Sequence, residues 1–227
     1  SDDNTHAIVL TGTGTYYSAG VNLGGTLRLD HPKALHAFIV EHNQALFDAF
    51  LHIDKPIIAA VNGPAIGAPV TSATLCDAIV AADTATFSTP FARLGVPPEG
   101  CSSIHFARLM GETNAKRMLG PEGWRPTAEE AAEVGLIDQV VPGEALVDAA
   151  HTVALERIAG GRTFRAGSTR EELLATNASE SIQLADAFLS APFLKGQMKF
   201  LWSKKKRGPA AMFAGLWLTS PAWRMLL

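Results

Sequence analysis

The sequence predicts an α/β fold built on a largely parallel sheet that is covered on both faces. Four short apolar runs, each ended by Gly, Asp or Pro, have the length of buried strands, and they occupy residues 6–12, 55–63, 77–83 and 136–142. Helical patterns alternate with these runs. Strands that are apolar on both faces and joined by helices favour a parallel sheet, with ligands placed where strand ends lead into loops and helix N-termini.

The helices are predicted from spacing and from their first residues. The longest helical pattern, KALHAFIVEHNQALFDAFLHI at residues 33–53, lies between the first two predicted strands. Thr127 with Glu130, and Thr169 with Glu172, have the spacing of capping boxes. Each pair therefore predicts the start of a helix.

The sequence divides into a mixed core, residues 1–143, and a helical region, residues 144–227, because no strand pattern follows Gly143. Three of the four tryptophans lie in the helical region, together with many Leu and Phe residues. This is more apolar surface than three or four helices can bury by themselves. We therefore expect the helices to pack against the core or against another subunit.

Composition limits the classes of function. The chain has 227 residues, 47% hydrophobic and 18% charged, which is typical of one large globular domain or two small ones. Its net charge of -3 does not favour nucleic acid, and the local basic run at residues 204–207 is typical of a solvated helix end. Cys76 and Cys101 give neither a disulfide framework nor metal-ligand spacing, and no apolar run approaches the roughly 18 residues of a membrane span. We expect no metal, no nucleic acid partner and no membrane span.

The glycine-rich segment TGTGTYYSAGVNLGG, residues 11–25, is not a phosphate loop. Gly12 and Gly14 supply the first part of a dinucleotide fingerprint, but Tyr17 occupies the position of its third glycine, and no GxxxxGK[ST] motif occurs. The segment is better explained as a loop after a strand. Gly20 would let the backbone turn so that the amide of Val21 points into a cleft.

A second loop of this kind follows the second predicted strand, in VNGPAIGAPVTSATLCD. Gly63 and Gly67 frame a turn, and Pro69 suits the first position of a helix. Because Pro69 has no N–H, Ala68 offers the exposed donor, which is suited to a developing negative oxygen. Two such amides would form an oxyanion hole, in which the loss of one donor typically costs about 3 kcal/mol of transition-state stabilisation.

A single carboxylate, Glu99, stands in the segment GVPPEGCSS at residues 95–103. Taken alone, a loop glutamate is typical of an exposed surface. Cys101, the serines after it and His105 suggest a nucleophile, but no Asp or second His stands in a recognisable partner position. Packing or helix capping is therefore the favoured role for these neighbours.

Four segments together resemble the crotonase, or enoyl-CoA hydratase/isomerase, superfamily: AIVLTGTGTYYSAGVNL, KPIIAAVNGPAIGAPVTSATLCDAIVAAD, ATFSTPFARLGVPPEGCSS and TAEEAAEVGLIDQVV. The resemblance implies a core of ββα spiral turns followed by helices that drive trimerisation, an acyl-CoA ligand, and a homo-oligomer, either trimer or hexamer. It assigns the two oxyanion amides to Val21 and Ala68. It also implies a set of substrate-binding residues, namely Ala19, Gly20, Gly67, Phe91, Leu94 and Pro98.

The acids distinguish the branches of this family. The hydratases of this family have two glutamates, and the matching positions in this sequence hold Thr71 and Phe91. The two carboxylates that syn hydration needs are therefore absent from these positions. The isomerase branch instead has one glutamate in LG..PEG, and Glu99 in LGVPPEG matches it. The segment PFARLGVPPEGCSS is most similar to Δ3,Δ2-enoyl-CoA isomerases of the mitochondrial and peroxisomal type. The resemblance thus implies that Glu99 removes the C2 proton of a 3-enoyl-CoA and returns it at C4, with no cofactor other than the coenzyme A of the substrate.

Other functions stay open at this point. A single well-placed glutamate is also able to activate water, as in an acyl-CoA thioester hydrolase, and the same segment does not exclude a homologue that binds acyl-CoA without turnover. An RNA-binding member of the family is a further alternative, disfavoured by the low positive charge outside residues 204–207. The family usually carries an opening strand and helix before the first of these segments, so either the protein has further residues ahead of Ser1, or its core is incomplete and the remaining strands tolerate an open edge. The compartment is open: a mitochondrial or peroxisomal organelle in a eukaryote, the cytoplasm in a bacterium.

Overall fold

The computed structural model describes residues 2–21 and 30–223. Its strands are β1 (Ile8–Thr11), β2 (Ile57–Val61), β3 (Ala65–Ile66), β4 (Ala78–Ala82), β5 (Phe87–Ser88) and β6 (Gln139–Val141). Within the described residues, β1, β2, β4 and β6 form one parallel sheet in that order, and β3 pairs with β5 in a second parallel sheet. All four predicted strand runs are therefore strands, and the parallel sheet is confirmed.

A helix occupies the segment at residues 33–53 that the periodicity predicts, and helices begin after Thr127 and Thr169 as their capping residues predict. The helices are α1 (Pro32–His52), α2 (Ala68–Thr74), α3 (Phe91–Leu94), α4 (Ser102–Leu119), α5 (Ala128–Glu133), α6 (Leu146–Ile158), α7 (Arg170–Phe188), α8 (Ala191–Ser203) and α9 (Arg207–Trp223). In the part of the chain that the structure describes, no strand follows β6. None of the helices in these ranges is both long and apolar enough to cross a membrane.

The two central strands of the main sheet, β2 and β4, are buried along their whole length, which explains why they are continuous apolar runs, whereas the outer strands β1 and β6 are half-buried or exposed. Because successive strand side chains point to opposite faces, Ile58 and Val80 meet α6, while Ile57 and Ile79 belong to the opposite core. That opposite core is closed by apolar residues of α2, α4 and α5, namely Val70, Ala73, Phe106, Met110, Met118, Ala128 and Ala131. The sheet therefore forms a rigid base for the loops that leave β1 and β2.

The two predicted capping boxes have different outcomes. At the start of α5, Thr127 Oγ1 accepts from the Glu130 N–H (3.3 Å), and the Glu130 carboxylate accepts from the Thr127 N–H (2.9 Å). At the start of α7, Thr169 Oγ1 accepts from the Glu172 N–H (3.2 Å). The Glu172 carboxylate, however, accepts two hydrogen bonds from Arg108 at 2.6 Å, so only half of the second box forms.

The later helices bury their apolar residues partly against the core, as expected. A cluster joins Leu35 and Ile39 of α1 to Phe193 of α8 and Phe213 of α9. The tryptophans of this region differ in exposure: the buried Trp223 donates its indole N–H to the Leu216 carbonyl (3.1 Å), Trp217 is half-buried, and Trp202 is 63% exposed. The core therefore covers only part of the apolar surface of these helices.

Candidate active site

The loop after β1 lies beside the loop after β2. Tyr17 N–H donates to the Pro64 carbonyl (3.1 Å), and Ile66 N–H donates to the Ser18 carbonyl (3.0 Å). Gly20 has a φ of 88°, and a Cβ at this position would lie 2.6 Å from the Ile66 carbonyl oxygen. Only glycine fits both conditions, so the close approach of the two loops depends on Gly20.

The loop after β2 leads into α2 through Gly67. The Gly67 N–H donates to the Ser88 carbonyl (2.7 Å), and the φ of this residue is 76°. The helix then begins at Ala68, followed by Pro69, which has no N–H to offer. Among the residues that the structure describes, no acceptor takes the Ala68 N–H. This amide is therefore available to a ligand.

A cavity of about 370 Å³ lies where these loops meet α1, α3 and α7. Nearly all residues predicted for the site line it: Ala19, Gly20, Val21, Gly67, Ala68, Phe91, Leu94 and Glu99. Segments far apart in the sequence thus converge on one space. The arrangement places one carboxylate and two candidate amide donors around a mainly apolar cavity.

Pro98 is the exception among the predicted substrate-binding residues. Between α3 and α4 the chain follows no regular structure, and it turns so that Val96 and Glu99 line the cavity. Pro98 is half-buried in the same segment but does not line the cavity. The contact between Pro98 and substrate therefore stays a prediction, and the lining of this cavity does not support it.

Two helices supply cavity walls that sequence reasoning missed. Phe38, His42 and Leu46 recur at four-residue spacing on α1, and Leu184 and Phe188 do so on α7. Residues four apart lie on one face of a helix. This four-residue periodicity is visible in the sequence and predicts that each helix has one buried face. It does not indicate whether that face borders the cavity or the hydrophobic core.

Glu99 is the sole carboxylate among the described residues that line the cavity. Burial, with a smaller contribution from the negative charge of Glu180, raises the pKa of the Glu99 carboxyl to about 7. A carboxyl group with this pKa exists in both protonation states near neutral pH. It is therefore able both to accept and to return a proton.

The positions of the two hydratase glutamates hold no acid. Thr71 is buried, and its hydroxyl donates to the Ala68 carbonyl (3.0 Å). Phe91 is also buried and lines the cavity. Neither side chain is able to position and deprotonate water.

The nucleophile candidates next to Glu99 are engaged elsewhere. The Cys101 thiol donates to the Leu173 carbonyl (3.1 Å), and burial raises its pKa. His105 Nε2 lies 3.2 Å from the Arg165 carbonyl oxygen, and burial lowers the pKa of this imidazole to about 4. Neither side chain lines the cavity, which agrees with the packing role predicted for them.

The model of the family described as enoyl-CoA hydratase/isomerase matches residues 1–186 of the chain. The chain belongs to the enoyl-CoA hydratase/isomerase family. It is 36% identical over 217 residues to "Enoyl-CoA delta isomerase 2" of Homo sapiens, an alignment that covers 91% of this chain and 54% of that protein. It is 40% identical over 151 residues to "Enoyl-CoA delta isomerase 3, peroxisomal" of Mus musculus, covering 63% of this chain and 45% of that protein. The chain thus spans about half the length of these relatives.

Solved structures of the enoyl-CoA hydratase/isomerase family share the fold. The crystal structure of an enoyl-CoA hydratase/isomerase from Pseudoalteromonas atlantica T6c aligns with a TM-score of 0.68 and 26% identity. The alignment covers 88% of this chain and 79% of that one. The predicted crotonase-type α/β fold is confirmed.

Proposed function

We propose that this family member is a Δ3,Δ2-enoyl-CoA isomerase, which converts a 3-enoyl-CoA into a 2-trans-enoyl-CoA, the form that fatty-acid β-oxidation uses. The observation that carries the proposal is Glu99, a lone carboxylate with a pKa raised to about 7 in a mainly apolar cavity. The names of the relatives point the same way. Double-bond migration needs one group that takes a proton and returns it to the next-but-one carbon, and one carboxylate suffices for this.

The proton balance of the reaction is internal. Glu99, in its ionised form, removes a proton from C2, and the electron pair of that C–H bond moves toward the thioester carbonyl to give a dienolate. The protonated Glu99 then delivers the same proton to C4, as the electrons return and the C2–C3 double bond forms. No water is consumed, no electron is gained or lost overall, and the reaction needs no cofactor beyond the coenzyme A of the substrate.

In this proposal the dienolate oxygen lies between the backbone N–H groups of Val21 and Ala68. Support comes from the Ala68 N–H, which has no acceptor among the described residues, and from the contact between the two loops, which brings Val21 to the same cavity. Two fixed amide donors stabilise negative charge that develops on the oxygen, and each contributes about 3 kcal/mol in comparable sites. By stabilising the dienolate they lower the pKa of the C2 proton, so that a carboxylate is able to remove it.

Hydration is disfavoured because Thr71 and Phe91 replace the acids that would activate water. Thioester hydrolysis is the main rival, since one glutamate is also able to activate water for attack on the carbonyl. The two reactions release different products. Isomerisation keeps the thioester intact, whereas hydrolysis sets free the thiol of coenzyme A.

The test is to incubate the purified chain with 3-hexenoyl-CoA and to separate the products by chromatography and mass spectrometry. We expect 2-trans-hexenoyl-CoA, and with substrate deuterated at C2 we expect part of the label at C4. Glu99→Gln should lower kcat by about 10²- to 10⁴-fold, the usual range for losing a general base. Glu129→Gln, the same change at an exposed glutamate of α5, should leave kcat unchanged.

Each other outcome points to a different alternative. Release of free thiol by the wild type, lost in Glu99→Gln, would replace isomerase with hydrolase. Tight binding of the 3-enoyl-CoA by calorimetry without any product would indicate an acyl-CoA-binding protein that does not turn its ligand over. Binding of a random RNA pool without acyl-CoA binding would favour the nucleic acid alternative, although the exposed basic run between α8 and α9 lies outside the cavity.

A further inference from the structure

Glu180 is a buried acid that no step of the proposed reaction uses. It is 3% exposed and precedes Leu184 and Phe188 by one and two helical turns, on the face of α7 that borders the cavity. Its carboxylate oxygens accept from two backbone amides, the Cys101 N–H at 2.6 Å and the Ser103 N–H at 2.9 Å. The Cys101 amide belongs to the turn that directly follows Glu99, and the Ser103 amide belongs to the first turn of α4.

That turn has an unusual backbone. Gly100 and Cys101 follow one another with φ values of 64° and 66°, and the left-handed region is unfavourable for a residue with a side chain. A Cβ at Gly100 would collide with the Phe47 ring and would lie 2.7 Å from Thr71 Oγ1. The turn is therefore tightly packed and partly strained, and it needs contacts from outside to keep its shape.

The local sequence does not supply the missing contact. Cys101 is the residue before the first turn of α4, and its own side chain makes no capping hydrogen bond. The first amides of a helix have no partner within the helix and need an acceptor. Glu180 supplies this acceptor from a position 79 residues later in the chain.

We propose that Glu180 is a positioning residue for Glu99: its buried carboxylate holds the Gly100–Cys101 turn at the start of α4 and thereby fixes the direction in which Glu99 enters the cavity. The role of Glu99 as the base rests on the proposed function, whereas the hold on the turn does not. Fixing the base matters because a displacement of about 1 Å at a reacting group is able to cost about 10²-fold in rate.

Charge adds to the effect of geometry. The titratable groups that face this region are Glu99 and the Cys101 thiol on the turn, and His42 and Asp48 on α1. Burial raises the pKa of Glu180, and the hydrogen bonds from the Ser103 and Cys101 amides oppose this effect. Negative charge on Glu180 in turn raises the pKa of Glu99.

Two variants separate position from charge. Glu180→Gln removes the charge, and its amide group accepts only one of the two hydrogen bonds. Glu180→Asp keeps the charge on a side chain one methylene shorter, which does not reach both amides. The control is Glu171→Gln, the same change at an exposed position of α7.

The measurements are kcat and KM against pH, and the titration of the Glu99 carboxyl carbon by ¹³C NMR, with the signal assigned through Glu99→Gln. In Glu180→Gln we expect kcat to fall by about 10- to 100-fold with KM within about threefold. The acidic limb of kcat and the Glu99 titration should both move to lower pH. Glu180→Asp should lower kcat without moving the acidic limb of its pH profile. Glu171→Gln should match the wild type in both kcat and pH profile.

The proposal fails if Glu180→Gln leaves both kcat and the Glu99 titration unchanged. It also fails under a second combination of results. In that case the kcat of Glu180→Gln falls equally at every pH and only in proportion to the folded fraction lost, as measured by circular dichroism, while Glu180→Asp behaves as the wild type. If the wild type itself does not isomerise, the proposed function fails instead. The NMR titration still decides in that case whether Glu180 controls Glu99.

Discussion

Glu99 serves two opposed requirements at the scale of a single residue. A base that acts on a weak carbon acid benefits from a pKa near neutrality, and burial provides it by disfavouring the charged form. The same burial makes the ionised carboxylate unfavourable for the folded state. Activity and stability therefore depend on Glu99 in opposite directions.

The pH dependence of stability tests this opposition. The Glu99 pKa is about 7 in the folded chain against an ordinary value of 4.5, so the folded state binds the proton more tightly than the unfolded state. The stabilisation that protonation gives is fully present below pH 4.5 and is lost as the pH rises through 7. Because Glu99→Gln stays neutral, we expect its free energy of unfolding at pH 8.5 to exceed that of the wild type by about 2 kcal/mol. One pKa unit is worth about 1.4 kcal/mol, and the partial exposure of Glu99 reduces the full effect.

Urea unfolding of the wild type and Glu99→Gln at pH 4 and pH 8.5 measures the difference, with Glu129→Gln as the exposed control. At pH 4 the two proteins should be of nearly equal stability. An equal gain for Glu99→Gln at both pH values would show that shape rather than charge is responsible.

Residues of the site differed in how well the sequence predicted them. Glu99, Gly20 and Gly67 stand in short contiguous motifs whose local backbone demands are visible in the sequence itself, and all three line the cavity. Glu180 stands in no motif, and its contact with the Cys101 amide spans 79 residues. Such a contact depends on how α7 packs on α4, which no local pattern encodes.

The same contrast holds at the scale of elements. The strands were predictable because four apolar runs bounded by turn residues leave little choice of structure. The amphipathic α1 was predictable as a helix, but its contribution to the cavity through Phe38, His42 and Leu46 was not. Periodicity identifies a face that is covered, and only the fold determines whether a core or a cavity covers it.

Asp77 shows how side chains join elements far apart in sequence. It is buried at the start of β4 and accepts from the Ile57 N–H (2.8 Å), from the Thr163 N–H (2.5 Å), and from the Arg162 guanidinium, which is also buried. We expect Asp77→Asn to destabilise the fold by about 3 to 5 kcal/mol, because it leaves the charge of Arg162 buried without its counter-charge.

Asp54→Asn is the matched control, since Asp54 pairs with Arg170 at 2.7 Å while its side chain is 81% exposed. An exposed pair of this kind contributes less than about 1 kcal/mol. Chemical denaturation of the two variants at pH 7 compares them directly. Similar small losses for both would contradict the structural role assigned to Asp77.

At the scale of the whole molecule, part of the apolar surface has no cover within the described chain. Phe200 and Trp202 on α8 and Leu218 on α9 are 55%, 63% and 68% exposed. Exposed apolar side chains that form one contiguous patch mark a protein interface, whereas single ones are normal on a protein surface. Because α8 and α9 pack against each other, we expect these three side chains to form such a patch. The family resemblance implies a homo-oligomer, either trimer or hexamer, and this stays a prediction. Substitutions on the exposed surface of α8 and α9 test whether subunits meet there.

We expect the wild type to elute as a trimer or a multiple of it in size-exclusion chromatography with light scattering, and Trp202→Glu combined with Leu218→Glu to shift it to the mass of one chain. Burying two carboxylates in an apolar contact without partners costs several kcal/mol, enough to dissociate it. The control is Val147→Glu combined with Leu155→Glu, two similarly exposed apolar residues on α6. If the α6 pair dissociates the oligomer and the α8–α9 pair does not, subunits meet through α6, and the apolar surface of α8 and α9 needs another explanation.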